Sequence, residues 1–403
     1  MIENADQIFV ILLHWLVGLV PEPWRPWLSY LLIIAAIMGV FGGLFAAATI
    51  AERKILGRIQ NRYGPNRIKM FGIKTFGLIQ PIADGIKMLI KEDIVPHAAD
   101  KVVHYLAPIV LTTPIWMTFA VLPMGRNMTA LDMDAGILFY FAMGSATELA
   151  VFMAGWSSHN KYSLLGSMRA IAQMISYEVP LVLSTIPVLM LAGTLSLTRV
   201  VDAQGGYLLG GFIPHWFILT PWGFAGCIIF LLAAMAESNR SPFDLPEGES
   251  EIIAGYLTEY SGFKYALFFL GEYVGMLAVS AMLVTLFLGG WHAPMKALEF
   301  IPSWIWFFGK TICVILLYIW SRATFPRIRL DQLLTFSWKF LVPLALANLV
   351  VAAVWHFTNG WATPLWASVR WLLCLFLIAV PFVLLGRSLD NKKQSPRLYH
   401  YAE

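Results

Sequence analysis

The sequence predicts an all-α polytopic membrane protein. Hydrophobic residues make up 59% of the 403 residues, charged residues only 13%, and the mean hydropathy is +0.69. Soluble domains carry about 25% charged residues, roughly twice that share. Apolar runs of about 20 residues, the length that a helix needs to cross a bilayer, recur along the chain. The net charge of +4 gives no case for nucleic-acid binding.

Nine segments are predicted to cross the membrane as helices. They are residues 28–50, 104–124, 135–157, 163–192, 221–238, 262–289, 302–321, 339–357 and 369–386. The fourth is too long for a perpendicular helix, and Pro180 and Pro187 inside it predict a tilted, kinked span. Residues 8–20 form a shorter apolar run without a basic leader or a cleavage pattern. We interpret them as interfacial or outside the membrane, not as a signal peptide.

The distribution of Lys and Arg predicts the orientation. With residue 1 outside, the inside segments hold 22 of the 28 Lys and Arg residues and the outside segments hold 6. Because inside loops carry the excess of positive charge, we expect a periplasmic N-terminus and a cytoplasmic C-terminus. The predicted organisation is an outside segment at 1–27, an eight-helix core at 28–357, and a ninth span with its tail at 358–403.

The first inside connection, residues 51–103, contains an amphipathic pattern. Its polar residues recur at steps of four, three and four, which places them on one helical face: Gln80, Asp84, Lys87 and Lys91. We predict an interfacial helix over 74–91 with isoleucines on its other face. A helix packed on a soluble partner is the alternative, and the two are compatible.

A basic, turn-rich stretch precedes this pattern. Arg62 and Arg67 flank the turn at Gly64–Pro65, and Arg53 lies at the end of the first span. Arginine pairs well with carboxylates, so we expect this stretch to dock a soluble partner. Binding to lipid headgroups is the alternative.

The segment 237–251, ESNRSPFDLPEGESE, is an acidic loop between two spans. It holds one base, Arg240, and five acids: Glu237, Asp244, Glu247, Glu249 and Glu251. Pro242 and Pro246 remove backbone donors and disfavour a continuous helix. A solvated connector is the ordinary interpretation of such a loop, but its place on the basic side of the protein indicates a function.

Carboxylates also occur inside the predicted spans, where ionisable groups are costly and mark functional sites. Three lie within spans and two at inner ends: Glu148, Glu178, Glu272, Glu52 and Glu237. Pro180 frees a backbone carbonyl near Glu178, which leaves room for water. We interpret the set as a wet proton path; pairing of each acid with an arginine or the backbone is the structural alternative.

The sequence predicts no metal or redox centre in this chain. The three cysteines, Cys227, Cys313 and Cys374, lie inside apolar runs, and neither CxxC nor HExxH occurs. These cysteines are typical of buried apolar positions rather than of disulfides or metal sites. An iron–sulfur cluster or a zinc site is therefore not expected.

Four strings carry a resemblance to a known family: ERKILGRIQNRYGPNR at 52–67, GWSSHNKYSLLGSMR at 155–169, QMISYEV at 173–179 and the segment 237–251. Over about residues 28–357 the chain resembles the H subunit of the bacterial proton-pumping NADH:quinone oxidoreductase, complex I. The mitochondrial counterpart is the first membrane-embedded ND subunit.

The resemblance implies a subunit of a proton-translocating enzyme of the bacterial inner membrane and respiratory chain. Such a subunit forms the membrane side of the quinone chamber and begins the proton path. Quinone, as ubiquinone or menaquinone, is the implied substrate, with FMN and iron–sulfur clusters in partner subunits. The implied partners are the peripheral-arm quinone-site and terminal iron–sulfur subunits, small membrane subunits and antiporter-like subunits.

The resemblance also carries over individual residues. These are Glu178 in SYEV, Glu237 in AESNR, Glu247, Glu249 and Glu251 in PEGESE, and Glu272 in GEY. Asp84 and Arg62 fall in matching strings without a clear role. Glu148 falls in no matching string, so its place in the proton path rests on its depth alone.

Two other functions remain open at this point. The chain has features of a membrane anchor of an energy-converting hydrogenase, which would couple to ferredoxin without quinone; the segment 237–251 argues against it. A stand-alone proton-coupled transporter fits the buried acids, but not the long inner loops or the lack of an evident internal repeat.

Overall fold

Thirteen helices build most of the part of the chain that the structure, a computed structural model, describes: residues 6–70, 73–244, 253–358 and 364–390. They are α1 (Ile8–Gly18), α2 (Arg25–Ile59), α3 (Gln80–Ile90), α4 (Lys101–Thr118), α5 (Gly136–Ser157), α6 (Lys161–Ala192), α7 (Leu197–Asp202), α8 (Pro221–Glu237), α9 (Gly262–Phe287), α10 (Ser303–Thr324), α11 (Leu330–Phe336), α12 (Val342–Phe357) and α13 (Pro364–Asp390). A π-helical turn, Ser337–Leu341, joins α11 to α12.

The all-α membrane fold predicted from the sequence is confirmed. Within the described ranges, seven helical segments are long and apolar enough to cross a bilayer, with α11 and α12 counted as one. The remaining two predicted spans correspond to shorter helices, α4 with 18 residues and α8 with 17. The second span was predicted to reach residue 124, but α4 ends at Thr118, and the chain continues in turns.

Hydrogen bonds between helix ends show that α4, α5 and α6 run in alternating directions. The Asp100 backbone N–H before α4 donates to the Ser157 carbonyl at the end of α5, and the Ile137 N–H at the start of α5 donates to Leu195 after α6. We call the end of the bundle at which α2 begins its outer end. Which end faces the periplasm stays a prediction from the positive charges.

Helix α9 lies at the centre of the bundle. Most of its residues are buried, and it packs against α2, α4, α8 and α10. By contrast, α2 and α13 lie at the periphery, and few of their residues are buried. Such exposure is ordinary for helices that face lipid or a neighbouring protein rather than water.

Helix α1 is too short to span a bilayer, since its 11 residues are roughly 16 Å long. Before its start, the Asp6 carboxylate accepts a hydrogen bond of 2.5 Å from the backbone N–H of Ser303 at the outer end of α10. Its other end connects directly to the outer end of α2. Both ends of α1 therefore lie at the outer face, in agreement with an interfacial segment.

The interfacial helix is shorter than predicted. The structure begins α3 at Gln80 rather than at residue 74, because Lys69–Met70 and Ile73–Lys74 form a small antiparallel hairpin. The predicted polar face is present, since the Gln80 amide donates to Asp84 at 3.0 Å and Lys87 lies 4.0 Å from the same carboxylate.

The apolar face of α3 points away from the bundle. Four side chains on it are more than half exposed: Ile82, Ile86, Leu89 and Ile90. A large exposed apolar patch on a helix attached to a membrane bundle indicates contact with the lipid interface.

This geometry predicts the labelling of α3 in native membranes. A thiol introduced by Ile86→Cys is expected to react poorly with a water-soluble maleimide, because its side chain faces lipid. Lys91→Cys, just after the end of the same helix, is the matched control and is expected to react. Equal labelling rates at the two positions before detergent is added would contradict the interfacial placement.

Candidate functional site

The end of α8 explains the sequence AESNR. Asn239 has a positive φ of 49°, its N–H donates to Ala236, and the Arg240 N–H donates to the carbonyl of Met235. These two bonds form a Schellman motif, in which asparagine accepts the left-handed conformation more readily than most residues. The helix therefore stops at Glu237, and Arg240 begins a loop inside the protein.

Gln173 on α6 holds this loop in place. Its side-chain nitrogen lies 2.7 Å from the carbonyl of Ala236, 2.7 Å from that of Phe243 and 3.2 Å from the Asn239 side chain. Gln173 is fully buried. One amide of the QMISYEV string thus satisfies backbone carbonyls on both sides of the turn after α8.

Arg240 is buried between carboxylates from two helices. Its guanidinium lies 3.2 Å from Glu52 of α2 and 3.4 Å from Glu272 of α9, and it stacks 4.0 Å from the centre of the Tyr273 ring. Glu52 also pairs with Arg322 of α10 and accepts a hydrogen bond of 2.6 Å from Tyr273. We call these five residues the arginine cluster.

The charges of the cluster stabilise each other. Burial by itself lowers the pKa of Arg240, but the nearby acidic groups, Glu272 first, raise it by more, and the pKa lies above its ordinary value. A buried cation of this kind stays charged only because its partners are close. The structural alternative considered for Glu52, pairing with arginine, is therefore what the structure shows.

The loop is tied to the inner end of α10 as well. Arg327 donates to the Asp244 carboxylate at 3.0 Å, and the backbone N–H of Ile328 donates to Pro242. Burial raises the pKa of Asp244, although Arg327 and then Arg322 oppose the shift. The peptide bond between Ser241 and Pro242 is cis.

The predicted loop acids Glu247, Glu249 and Glu251, together with Pro246, lie outside the described residues.

A cavity of about 80 Å³ lies in the middle of the bundle. Glu178, Glu237 and Glu272 all contribute to its wall, together with Tyr140, Asn239 and apolar residues of α4 and α9. A site needs about 10–15 Å³ of this kind of volume for one water, so the cavity has room for several. We call it the acid cavity. Three of the five carboxylates selected from the sequence meet there.

The other two predicted acids are placed differently. Glu148 lies beside the cavity, where its carboxyl interacts with that of Glu178, and Ser145, one turn earlier on α5, donates to Glu178. Glu52 belongs to the arginine cluster and is not part of the cavity wall. Glu272 belongs to both groups and connects them.

Glu237 lies against Gly144 of α5. A Cβ atom at Gly144 would lie 3.8 Å from one carboxylate oxygen of Glu237. The other oxygen is buried and has no hydrogen-bond partner among the residues that the structure describes. This carboxyl group is thus among the least satisfied polar groups of the site.

The carbonyl freed by Pro180 does not open a place for water, contrary to the expectation from the sequence. It belongs to Ser176, four residues before the proline, and it accepts a hydrogen bond of 2.5 Å from the buried hydroxyl of Ser337. Tyr177 donates to the carbonyl of Leu333 at 3.0 Å, and Trp338 donates to the Ser176 hydroxyl at 3.2 Å. The segment before Glu178 is therefore held by α11 and the π-helical turn.

The predicted docking residues lie at the inner surface. Arg53 pairs with Asp84 of α3 at 2.6 Å, so part of the polar face of α3 is used within the chain rather than for a partner. Arg62 is exposed and donates to Gln60 at 2.7 Å, and Arg67 is also exposed. The predicted interfacial residue Lys91 is exposed at the end of α3.

Sequence reasoning missed several residues of the site. Arg322, Arg327 and Tyr273 were not selected as site residues. Arg322 and Arg327 are among the positive charges at the inner end of α10, and Tyr273 is the last residue of the GEY string. A buried carboxylate such as Glu52 requires a cation, and that requirement points to the arginines at other inner helix ends. Ser337 and Ser145 carry no comparable pattern.

The described residues contain no group of three or more His, Cys, Asp or Glu arranged to hold a metal ion. The polar groups of the site are instead carboxyls, guanidiniums, phenols and amides. Such groups bind polar oxygens and move protons.

Comparison with known proteins identifies the family. The family model described as NADH dehydrogenase matches residues 31–353. The H subunit of the NADH-quinone oxidoreductase of Dehalococcoides mccartyi strain CBDB1 is 50% identical over 333 residues, covering 82% of this chain and 87% of the relative. The corresponding protein of Bacillus mycoides strain KBAB4 is 46% identical over 335 residues, covering 83% and 96%.

The chain belongs to the family of NADH-quinone oxidoreductase H subunits. A further relative, from Bacillus cytotoxicus, is 47% identical over 328 residues. The family match spans the whole of the acid cavity and the arginine cluster, while α1 and α13 lie outside it. In this member of the family, the site therefore lies within the shared core.

The arginine cluster predicts a charge-dependent assembly defect. Arg240→Met leaves Glu272 buried without its cation, a loss that typically costs about 3–5 kcal/mol. We expect little assembled complex on native gels of membranes. Adding Glu272→Gln removes the unpaired charge and is expected to restore assembly.

The control is Arg199→Met. Arg199 pairs with Asp134 at 3.4 Å on the surface, where both side chains are largely exposed, so the change is expected to cost about 1 kcal/mol or less. Wild-type assembly of Arg240→Met, or failure of the second change to improve it, would contradict the role of the charge balance.

Proposed function

We propose that this chain forms the membrane wall of a quinone-binding chamber and the beginning of the proton path in a proton-translocating NADH:quinone oxidoreductase of the bacterial inner membrane. One observation carries the proposal. Glu178, Glu237 and Glu272 meet in one cavity, and Glu272 is at the same time a partner of Arg240, which belongs to the acidic loop.

The family context supports the choice of substrate. The relatives are named as H subunits of NADH-quinone oxidoreductases. In this proposal quinone, as ubiquinone or menaquinone, is bound by this chain together with its partners. FMN and the iron–sulfur clusters belong to the partner subunits. The residues of this chain bind, orient and exchange protons, and electrons reach the quinone from the peripheral arm.

The arginine cluster gives the chain a way to couple charge and protons. Quinone reduction consumes two protons and leaves transient negative charge near the loop that carries Arg240 and Asp244. A cation held by Glu52 and Glu272 can move toward new negative charge. Glu272 would then be an unpaired buried carboxylate, and because such a charge is costly it would take up a proton.

The acid cavity extends this response into the bundle. Glu272 shares the cavity wall with Glu178 and Glu237, and Glu148 interacts with Glu178. We propose that the acids of this cavity act as one coupled group. A proton taken up at Glu272 therefore alters the proton affinity of the other acids, which is the first step of a path toward the neighbouring membrane subunits.

The proposed orientation follows the positive charges. In this proposal Arg62 and Arg67 lie on the cytoplasmic surface, where a peripheral arm would dock, and the N-terminus is periplasmic. The apolar face of α3 lies in the membrane interface beside the chamber, where an isoprenoid tail can enter from lipid.

A hydrogenase anchor and a stand-alone transporter are less well supported. The matched relatives are quinone oxidoreductase subunits, and their similarity extends over the loop and the cavity. A stand-alone transporter would not require exposed arginines and a long inner connection at 51–103. The nature of the neighbouring genes, peripheral-arm dehydrogenase subunits or a nickel–iron hydrogenase, separates these possibilities.

Docking is tested by reversing a charge on the inner surface. Arg62→Glu is expected to release the peripheral arm, because it replaces an attractive charge by a repulsive one. Arg126→Glu reverses an exposed charge on the outer side and is the control. The measurement is the amount of peripheral-arm protein that stays bound to washed membranes. Full retention and activity with Arg62→Glu would argue against docking at this surface.

The proton path is tested by Glu178→Gln and Glu237→Gln, which keep the shape of the side chain but cannot carry a proton. Each is expected to lower quinone-linked proton pumping in inverted vesicles, measured with a pH-sensitive dye, while NADH oxidation with an artificial acceptor stays near normal. If the acids act as one unit, the double variant loses less than the sum of the single losses. Normal pumping and quinone turnover in both single variants would refute the path.

A further inference from the structure

A lysine closes the outer end of α9. Lys310 lies on α10, about two turns from the start of that helix. Its Nζ atom donates to carbonyl oxygens of the connection that follows α9: those of Leu288 at 2.7 Å, Gly290 at 2.9 Å and His292 at 2.7 Å. An amine needs three N–H bonds to donate to three oxygens, and only its protonated form has them. The geometry therefore describes an ammonium whose donors are all used within the chain.

An indole ring and two glycines pack tightly around this lysine. The Lys310 Nζ atom lies 4.0 Å from the centre of the Trp216 ring, a favourable cation–π distance. Gly289 has a φ of 69°, and a Cβ atom there would lie 2.3 Å from the indole. Gly290 has a φ of 50°, and a Cβ atom there would lie 2.7 Å from the Val201 side chain of α7. The connection after α9 is thus held directly against Trp216 and α7.

A buried amide completes its hydrogen bonds at the same end of α9. Gln204, two residues after α7, is fully buried. Its side chain bonds to four backbone groups: the carbonyls of Thr285 at 3.0 Å and Val200 at 3.3 Å, and the N–H groups of Gly289 at 3.0 Å and Phe217 at 3.4 Å. A glutamine amide has two N–H donors and two acceptor sites. All four are therefore used within the protein.

The part of α9 between the acid cavity and this end is closely packed. On α9 the wall of the acid cavity reaches from Phe268 to Val279. Each of the residues 280–287 that follow is 3% exposed or less. The two hydroxyls among them, those of Ser280 and Thr285, donate to carbonyls of their own helix at 2.7 and 2.8 Å. This stretch, roughly 12 Å long, therefore uses its side-chain donors within the helix.

We call Lys310, Gln204 and Trp216 the outer plug. The last carbonyls of a helix have no partner within the helix, and buried polar groups that the protein leaves unsatisfied bind water. At the end of α9 the plug supplies partners from α10 and from the segment after α7. These side chains thereby take the positions that water would otherwise occupy.

We propose that the outer plug is a barrier that keeps water and protons of the outer side from reaching the acid cavity through this chain. The barrier deepens the proposed function and rests on it, since it makes the cavity accessible from its other sides only. The ammonium adds to the barrier, because a fixed positive charge in a narrow site repels protons. Lys310 is thus a positioning residue, which acts through the connection that it holds.

Passive proton leak tests the barrier without turnover. The assembled complex is reconstituted in liposomes with a pH-sensitive dye inside, and the decay of an imposed pH gradient is followed without NADH. Lys310→Met leaves three buried carbonyls without that donor, and Gln204→Met leaves four backbone groups without that partner. Each variant is expected to speed the decay several-fold per assembled complex, because water enters to satisfy these groups. Lys310→Arg keeps a cation with several donors and is expected to decay at nearly the wild-type rate.

Lys296→Met is the matched control. It removes a lysine from the same connection between α9 and α10, but the Lys296 side chain is exposed, so the decay is expected to stay at the wild-type rate. The two plug variants lie on different elements, so the test stands if one of them does not assemble. Wild-type decay in an assembled Lys310→Met or Gln204→Met complex, or an equally fast decay in Lys296→Met, would overturn the barrier.

Proton pumping by Glu178→Gln in the same liposomes separates this inference from the proposed function. Impaired pumping in Glu178→Gln together with a tight Lys310→Met complex refutes the barrier alone. Normal pumping in Glu178→Gln refutes the proposed path, whether or not Lys310→Met leaks.

Discussion

The buried charge of Arg240 is the interaction on which the rest of the site depends. A guanidinium away from water is tolerated only beside carboxylates. The chain provides Glu52 from α2 and Glu272 from α9, and Arg322 of α10 also pairs with Glu52. Three spans that are distant in sequence are thereby brought to one point. Of these three spans, α9 also lines the acid cavity, and Glu272 belongs to both the cluster and the cavity wall.

The short length of α8 places Arg240 inside the bundle. A helix of 17 residues is roughly 26 Å long, less than the thickness of about 30 Å of the hydrocarbon core. The chain therefore leaves helical structure while still inside the bundle. Irregular backbone at that depth has to be satisfied by protein, and the buried amide of Gln173 does so for the carbonyls of Ala236 and Phe243.

The fold was largely predictable because its information is local. Apolar runs gave the spans, the spacing of Gln80, Asp84 and Lys87 gave a helical face, and a carboxylate such as Glu178 in an apolar run marked a site. The predicted start of α3 was wrong because paired strands of only two residues each leave no periodic pattern in the sequence. The pairing of Glu52 with Arg240 and of Ser176 with Ser337 joins positions far apart in the chain, and no spacing rule reports such contacts.

The depth of Glu237 has an electrical consequence. Its carboxylate lies beside Gly144, eight residues from one end of α5 and thirteen from the other, or roughly 12 and 20 Å along the helix. A unit charge that crosses the whole membrane changes in energy by about 2.3 kcal/mol per 100 mV. In the proposed path, a proton that binds at Glu237 would cross part of that field. If the proposed function is right, the membrane voltage would therefore act on the binding of that proton.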